Sequence, residues 1–310
     1  MRLVLLLLLV HLSGWSQPEQ NLTIFLDSLE RPTKEENAAY IRVIVNFYGK
    51  TLHCNVYDYY LSGKRKTVGT YTNKYLRNKT GPFTSYYENG KMQSQLQYRE
   101  DLPHGKAYFW YESGSKKAEC EFIVSNDEPI IKINQFWSRI GIQRVVDGKG
   151  RFTDEDVTSF SEGDLDQGVK SGEWWGTDYK DGFTFVEIYK KGELVSGIST
   201  DSLKQTHKYD KIFVSAQPKK GIAHFNRFFK TAMRDNASLK KEKAYVTVGV
   251  SFTVRADGNI ADIEILDYKD TQADETIREI LTSYGPWNPA QSRGINTETY
   301  LSVPILINRY

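Results

Sequence analysis

Apolar and polar positions alternate most regularly between residues 246 and 254. The even positions are apolar, whereas the residues between them are small or polar. A period of two places all the apolar side chains on one face of a strand. The segment therefore predicts a β-strand with one buried face, formed by Val246, Val248, Val250, Phe252 and Val254.

A tight turn is predicted directly after this strand. Asp257 and Gly258 tolerate the positive φ that a short hairpin requires. Ile260, Ile263 and Ile265 then belong to a second strand that returns from the turn.

The spacing of apolar residues changes after the hairpin. Four of them follow at i, i+3, i+4 and i+7, which predicts a helix that ends at Gly285-Pro286. The last segment alternates again and contains Pro304, which has no N–H to donate and so favours an edge or bulged strand. The helical stripe is Ile277, Ile280, Leu281 and Tyr284, and the final strand carries Leu301, Val303, Ile305 and Ile307.

This order of elements resembles the C-terminal domain of the TonB family. The matching motifs are residues 250–254, Asp257-Gly258, the Trp287-Asn-Pro289-Ala290 corner and the segment from Tyr300 to Ile307. The resemblance spans residues 217–310 and implies an α+β module of helix-ββαβ order. The helix that precedes the strands in that family resembles residues 221–233, whose expected apolar face is Ile222, Phe225, Phe229, Ala232 and Met233.

The middle of the chain, residues 37–200, is repetitive. The motif aromatic-x-x-Gly recurs in it, and the first three glycines of this motif are 27 and 24 residues apart. Because one hairpin cannot bury its apolar face alone, this period predicts a stacked β-hairpin sheet and a mainly β protein. The motifs begin at Tyr60, Tyr87, Tyr111, Phe160 and Tyr189.

The same region is similar to the MORN repeat and its bacterial variants. The residues that carry this similarity are 81–86, 105–110 and 172–175, whereas the period is poor between Ile131 and Gly168. Tyr86, Trp110, Trp174 and Trp175 are candidates for an aromatic binding surface on the repeats. The alternative is that these rings pack one repeat against the next.

The termini and junctions have their own composition. Met1 to Ser16 has a charged start, an apolar core and small residues, as in a cleaved signal peptide; a retained membrane anchor is the alternative. Residues 17–36 are a leader or capping segment with a candidate helix, and residues 201–216 are a predicted linker in which 212–214 form a short strand. We therefore expect an exported, periplasmic or envelope-associated protein.

The chemistry of the 310 residues points away from catalysis. The net charge of +2 does not favour a nucleic-acid binder, and the five histidines show no metal-ligand spacing. Asp164 to Gly168 begins like a calcium loop, but its twelfth position is Trp175. We expect no enzyme activity, cofactor, metal or small-molecule substrate. Cys54 and Cys120 either form a disulfide or are small buried residues.

Recognition of a protein partner is the remaining function. The TonB resemblance implies that the last strand adds to an extended segment of an outer-membrane receptor, with Arg293 and Asn296 at the rim. The chain shows neither a membrane helix nor a Pro-rich span, so we predict that it does not transmit force. The alternative is an envelope scaffold whose repeats bind a protein or surface and whose C-terminal module forms a homodimer. The candidate edge residues are Tyr300, Leu301, Ser302, Val303, Ile305 and Ile307.

Overall fold

The computed structural model describes residues 21–49, 53–125, 128–235, 245–266 and 271–308. The chain divides into two compact units, one comprising the residues up to Gly150 with 165–169 and the other residues 151–164 with 170–310. Strands dominate both units, as the alternating pattern predicts, and the described residues include two α-helices. The predicted signal peptide lies outside the described residues.

The first unit is an antiparallel meander, in which each strand pairs with the next and β6 pairs with both β7 and β8. Its elements are β1 (Leu22–Leu26), a 3-10 turn (Glu35–Asn37), β2 (Tyr40–Ile44), β3 (Cys54–Tyr60), β4 (Arg65–Tyr71), β5 (Lys79–Tyr86), β6 (Met92–Arg99), β7 (Leu102–Pro103), β8 (Gly105–Trp110), β9 (Lys116–Ser125), β10 (Glu128–Trp137) and β11 (Gln143–Val146).

The leader segment forms a strand and not the predicted helix. Residues 22–26 are β1, which pairs in register with β2, from Leu22 opposite Ile44 to Leu26 opposite Tyr40. Leu26 is buried, whereas Leu29 lies beyond the strand and is exposed. Residues 22–26 therefore extend the sheet beside β2 by backbone pairing, and the capping role of the leader stays a prediction.

Four turns of the first unit share one geometry. In each, a glycine amide donates to the carbonyl three residues earlier, at Tyr60, Tyr87, Tyr111 and Ser138, over 2.7–2.9 Å. The glycines, at positions 63, 90, 114 and 141, have φ between 78° and 88°, a conformation that strains any residue with a Cβ. The fourth turn has serine in place of the aromatic residue, which explains why the repeat is not readable after Ile131.

The aromatic residue of the motif joins consecutive repeats. The hydroxyl groups of Tyr60, Tyr87 and Tyr111 donate to backbone carbonyls 26, 23 and 26 residues ahead, over 2.7–2.8 Å. Each acceptor, Tyr86, Trp110 or Trp137, is the residue directly before the next turn. The hydroxyl therefore fixes the position of one hairpin relative to the next, and we call this series the tyrosine ladder.

Aromatic side chains fill part of the core of the first unit. The Phe83 ring makes edge contacts with Tyr71 and Tyr98, at centroid distances of 5.6 and 5.0 Å. A Cβ on Gly69 would lie 2.1 Å from the Phe83 ring, so this strand position must be glycine for the ring to fit. These rings therefore pack neighbouring strands of the first unit against one another.

The second unit begins with a further antiparallel series. Its strands are β12 (Lys149–Glu155), β13 (Ser159–Asp166), β14 (Val169–Asp178), β15 (Phe183–Lys190), β16 (Glu193–Thr200) and β17 (Thr206–Tyr209), most of whose residues belong to this unit. β14 to β17 pair consecutively.

The C-terminal elements complete the second unit. They are β18 (Phe213–Val214), β19 (Gln217–Pro218), α1 (Ile222–Asp235), β20 (Tyr245–Val254), β21 (Ile260–Leu266), α2 (Thr271–Ser283), β22 (Trp287–Asn288), β23 (Ala290–Ser292), β24 (Ile295–Thr297) and β25 (Thr299–Asn308). The predicted linker, residues 201–216, contains β17 and β18, which pair with β16 and β23.

Helices α1 and α2 pack with β20 around one core. Val250, Phe252 and Val254 are fully buried, as the alternation predicts. Phe225, Phe229 and Met233 form the inner face of α1, but Ile222 is 58% exposed, so its assignment to that face is wrong. Ile222 is the first residue of the helix and projects beyond the core. The remaining buried residues of this core are Ala216, Ile277, Ile280, Leu281, Trp287 and Ala290.

The tyrosine ladder yields a test on stability. Replacing Tyr111 with Phe removes its bond to the Trp137 carbonyl and keeps the ring, so we expect unfolding to become easier by about 1 kcal/mol. Urea denaturation measures this change. Tyr75→Phe, at a tyrosine that is 73% exposed, is the control and should leave stability unchanged. Equal stability of Tyr111→Phe and wild type would contradict the ladder.

Candidate functional site

Strand β25 forms an edge of a three-stranded sheet of order β21-β20-β25. It pairs with β20 without a register shift, from Thr299 opposite Val254 to Asn308 opposite Tyr245. Among the described residues, no strand pairs with its other side. Backbone groups on that side are available to a further strand.

The position of Pro304 indicates which backbone groups face the open side. It lies opposite Gly249 within a continuous ladder. Because proline has no N–H, it fits where an N–H would point away from β20. Backbone groups alternate in direction along an antiparallel strand. Tyr300 and Ser302 lie an even number of residues from Pro304 along the strand. We therefore infer that their N–H and C=O groups also point to the open edge.

Side chains of β25 alternate between the face that packs on the core and the opposite face. Leu301 and Val303 pack against the core, so they hold the strand in place and are not available to a ligand. Tyr300 is 58% exposed. Ser302 is exposed, and its hydroxyl accepts a hydrogen bond from Ser251 Oγ over 3.1 Å. The side chains of Ile305 and Ile307 lie outside the described residues.

Arg293 does not form the predicted rim. Its side chain is 17% exposed, and its Nε donates to Glu187 Oε1 over 2.8 Å. The guanidinium also lies over the Phe185 ring, 3.9 Å from the centroid. Asn296 is exposed and donates to the Ala256 carbonyl over 3.2 Å. Arg293 therefore forms an internal ion pair. The position of Asn296 at the rim of a peptide-binding edge stays a prediction.

Glu187 is the buried centre of this contact. Its carboxylate is fully buried and accepts hydrogen bonds from Tyr189 and Tyr209, each over 2.9 Å, as well as from Arg293. Burial, and then the negative charge of Glu187, raise the pKa of both tyrosine hydroxyls well above the usual value. Both hydroxyls therefore remain protonated donors. Three donors satisfy a charge that would be costly to bury alone.

The backbone of the Arg293 turn approaches β17 and β16 closely. Ser199 Oγ donates to the Arg293 carbonyl over 2.7 Å, and the Arg293 amide donates to the Ile212 carbonyl over 2.7 Å. A Cβ on Gly294 would lie 3.2 Å from the Lys208 carbonyl. The hairpin of β23 and β24 is thus docked on the repeat strands of the second unit.

Sequence reasoning missed Glu187, although a signal was present. Residues 183, 185, 187 and 189 alternate inward along β15, and three of them are aromatic. A glutamate at an inward position is unusual because a buried carboxylate needs partners. The sequence does not show which residue pairs with it, since Arg293 is 106 positions away.

The four candidate aromatic residues of the repeats do not form one surface. Trp174 is fully buried, and its Nε1 donates to the Asp164 carbonyl over 3.0 Å. The prediction that Trp174 belongs to an aromatic binding surface is therefore wrong. Trp175 points to the opposite face and is 43% exposed. Tyr86 and Trp110 are partly buried and supply acceptor carbonyls to the tyrosine ladder.

Cys54 and Cys120 are free thiols, so the structure takes the second of the two alternatives. Both are buried, in β3 and β9, with β4 to β8 between them in the meander. Neighbouring strands stand roughly 4.8 Å apart. The strands between the two cysteines therefore separate them by much more than a disulfide can span. Burial raises the pKa of the Cys120 thiol to about 12.

Other chemical features of the described residues are few. A polar cavity of about 380 Å³ in the first unit is lined by Lys106, Tyr108, Glu119, Cys120, Asn134, Gln135 and Asp147. No group of three or more His, Cys, Asp or Glu side chains within the described ranges is placed to bind a metal ion. No helix in this part of the chain has the length and apolar character needed to cross a membrane.

Comparison with known families identifies part of the repeat region. Residues 79–100 and 103–123 match the MORN repeat variant. These segments contain β5 to β9, so the predicted similarity to MORN repeats is confirmed there. No curated protein matches the chain. None of these findings supports the TonB resemblance, which stays a prediction.

The Glu187–Arg293 pair can be tested by substitution. Arg293→Ala leaves a buried carboxylate without its cation and should destabilise the chain by about 3 kcal/mol. Glu187→Gln combined with Arg293→Ala should cost less than the sum of the single changes. Chemical denaturation measures these free energies. Arg255→Ala, at an exposed arginine, is the control, and a similar small effect at both arginines would contradict the pair.

Thiol reactivity tests the state of the cysteines. The ordinary thiol pKa is 9.0 and burial raises that of Cys120 to about 12, so at pH 9 the folded chain keeps a proton that the unfolded chain has partly lost. We expect alkylation of Cys120 to be at least about a hundredfold slower in the native protein than in urea. The stabilisation of the folded chain by the protonated Cys120 thiol is complete below pH 9 and is lost as pH rises towards 12.

Peptide mass spectrometry after timed labelling gives the rate for each cysteine. Ser113→Cys places a thiol in an exposed turn and should react quickly under native conditions. A native protein that yields a Cys54–Cys120 cross-linked peptide would overturn the assignment of two free thiols.

Proposed function

We propose that the chain is a non-enzymatic, exported binding protein whose C-terminal module binds an extended peptide by adding it to β25. The observation that supports this proposal is the position of β25 at the edge of the sheet. An extended peptide completes the hydrogen bonding of such an edge. The repeat region acts as the platform that carries the module.

The affinity of this site depends on few contacts. The outward groups of Tyr300 and Ser302 offer two donors and two acceptors, and the Pro304 carbonyl offers a further acceptor. Each such bond contributes about 0.5 to 1.5 kcal/mol net. After the cost of association is subtracted, backbone pairing alone gives weak binding. Contacts with the exposed Tyr300 ring must therefore supply part of the affinity and the selectivity.

The partner we propose is a segment of an outer-membrane receptor. This assignment follows from the TonB resemblance of residues 217–310 and from the predicted signal peptide, and it places the protein in the periplasm or cell envelope. The order of α1, β20, β21, α2 and β25 agrees with that resemblance. The role is recognition linked to outer-membrane transport, without transmission of force.

The second candidate function is an envelope scaffold. In this account the repeats bind a protein or surface, and β25 pairs with the same strand of a second copy. The open edge favours it, because unpaired strands associate with each other as readily as with foreign peptides. A receptor peptide that dissociates such a dimer would indicate that both events use β25.

A backbone substitution separates strand addition from side-chain binding. Ser302→Pro removes an outward N–H and should weaken binding of an extended receptor peptide by up to about tenfold, by loss of one hydrogen bond. Ser302→Ala keeps the N–H and is the matched control. Isothermal titration of the full chain measures both affinities. Equal affinities of the two variants would contradict strand addition at this position.

A further inference from the structure

The polar cavity of the first unit lies on one face of β8, β9 and β10. Tyr108 of β8 lies opposite Glu119 of β9, which in turn lies opposite Gln135 of β10. Their strand neighbours Ala107 and Ala118 are buried on the other face, in the core. The cavity measures about 380 Å³, and small-molecule sites measure about 300 to 1,000 Å³. It is therefore separate from the core and large enough for a small ligand.

A β-bulge in β10 shapes one wall of this cavity. The pairing of β10 with β9 shifts between Ile133 and Gln135, so Asn134 is an extra residue. A bulge changes the direction of a side chain, and bulges are common next to active sites. The Asn134 carbonyl accepts a hydrogen bond from the Gly148 amide over 2.8 Å. The bulge therefore brings Asn134 to the cavity and joins β10 to the turn that follows β11.

That turn supplies Asp147 to the cavity. Asp147 and Gly148 are the two central residues of the hairpin between β11 and β12, with φ of 49° and 78°. Both residues lie in the left-handed region, as a two-residue turn of this kind requires. The Gly148 carbonyl accepts from the Gly168 amide over 2.8 Å. Backbone hydrogen bonds on both sides of Gly148 therefore fix the turn that carries Asp147.

Two carboxylates at the cavity are oriented by neighbouring side chains. Gln143 Nε2 donates to Gln135 Oε1 over 2.7 Å, and Gln135 Nε2 donates to Asp147 Oδ1 over 2.9 Å. Lys116 Nζ donates to Glu119 Oε1 over 2.6 Å. In the described part of the chain, the second oxygen of each carboxylate has no hydrogen-bond partner. Each carboxylate is thus held by one oxygen and offers the other to a ligand.

Hydrogen-bond donors line the same cavity. They are the Lys106 ammonium, the Tyr108 hydroxyl and the Asn134 side-chain amide. None of these three groups hydrogen bonds to another residue within the described ranges. The hydroxyl and the amide can also accept hydrogen bonds. The cavity therefore presents donors and acceptors together, in positions that exist before a ligand arrives, and such preorganisation favours binding.

The charges of the cavity favour a neutral ligand. Lys116 pairs with Glu119, and the charge of Lys106 offsets that of Asp147. A phosphate or carboxylate ligand requires an excess of positive donors, which this balance does not provide. A neutral ligand with many hydroxyl groups uses both kinds of partner, because each hydroxyl donates and accepts.

Aromatic rings on the same face favour a sugar among such ligands. Sugars have apolar C–H faces that stack on aromatic rings, and Tyr108 offers a ring beside its hydroxyl. Trp110 lies two residues further along β8, with its ring 6.3 Å from that of Tyr108. A chain of sugars that enters the cavity with one residue therefore meets a second aromatic ring with the next. This arrangement favours a glycan over a free monosaccharide.

We propose that this cavity binds one neutral sugar residue of a glycan. Asp147 and Glu119 accept hydrogen bonds from its hydroxyl groups, Asn134 and Lys106 donate to them, and the Tyr108 ring packs against its apolar face. The site uses no residue of the C-terminal module, so it is independent of peptide binding at β25. The repeat region thus has a ligand of its own and is more than a platform.

A microarray of neutral and acidic oligosaccharides, probed with the full chain, identifies the glycan. Isothermal titration with the best neutral oligosaccharide then gives its affinity, for which we expect a Kd of about 10 μM to 1 mM. The corresponding monosaccharide should bind at least about tenfold more weakly, because it lacks the contact with Trp110. Equal affinity for the monosaccharide would overturn the assignment of the ligand to a glycan.

A substitution of one atom type tests the role of the cavity. Asp147→Asn keeps an acceptor for Gln135 and tolerates the left-handed turn, but it replaces the free carboxylate oxygen by an NH₂ group. It should weaken oligosaccharide binding at least about tenfold. Tyr108→Phe, which removes only the hydroxyl, should weaken it about threefold to tenfold. Asp210→Asn, the same change at an exposed aspartate of the second unit, is the control and should have less than about a twofold effect.

Three results would overturn the proposal. They are the absence of binding to any neutral oligosaccharide at concentrations up to about 10 mM, tighter binding of acidic than of neutral oligosaccharides, and an unchanged affinity of Asp147→Asn. Urea denaturation of each variant verifies that a lost affinity is not a lost fold. Because peptide binding at β25 is measured separately, failure of either site leaves the other to be judged on its own data.

Discussion

Three tyrosine hydroxyls of the first unit connect consecutive hairpins through hydrogen bonds to backbone carbonyls. A hairpin has too small an apolar face to be stable alone, and the tyrosine ladder supplies a directional contact that backbone pairing within one hairpin lacks. Tyr60, Tyr87 and Tyr111 each donate to the residue before the next turn. The glycine of the motif shapes the turn, while the tyrosine fixes the spacing. The shape of the turn and the spacing of the hairpins thus depend on two different residues of the motif, for different physical reasons.

In the second unit a buried charge performs the corresponding task. Glu187 is fully buried and receives hydrogen bonds from Arg293, Tyr189 and Tyr209. An ion pair of this kind contributes little net stability compared with apolar packing, but its geometry is specific, and loss of one partner is costly. It holds the β23–β24 hairpin on the repeat strands. Arg293 is consequently part of the support of the C-terminal module and not of its binding surface.

Much of the fold was predictable from local patterns. Period-two alternation located β20 and its buried residues, helical spacing located α2, and Pro304 indicated an edge strand, because each of these signals depends on near neighbours in the chain. The leader was misjudged, since Leu22, Ile24 and Leu26 alternate as a strand but the cluster 24–26 is also compatible with a helix. Ile222 was misjudged because position within a helix does not reveal where the core ends.

The candidate site was harder to predict than the fold. Arg293 looked like an exposed loop residue because its partner Glu187 is 106 positions earlier. Trp174 and Trp175 are adjacent, yet one is buried and the other exposed, since consecutive strand residues point to opposite faces. The parity of Tyr300 and Ser302 became clear only with the register of β25 against β20. Long-range pairing decides all three cases.

The most direct measurement of the proposed recognition is intermolecular nuclear Overhauser spectroscopy on the full, isotope-labelled chain with an unlabelled extended peptide from an outer-membrane receptor. Strand addition predicts cross-peaks from peptide α-protons and amides to the amide groups of Tyr300 and Ser302, with no change at β21. Cross-peaks confined to the repeat region, or to α1, would contradict the assignment of β25 as the binding edge.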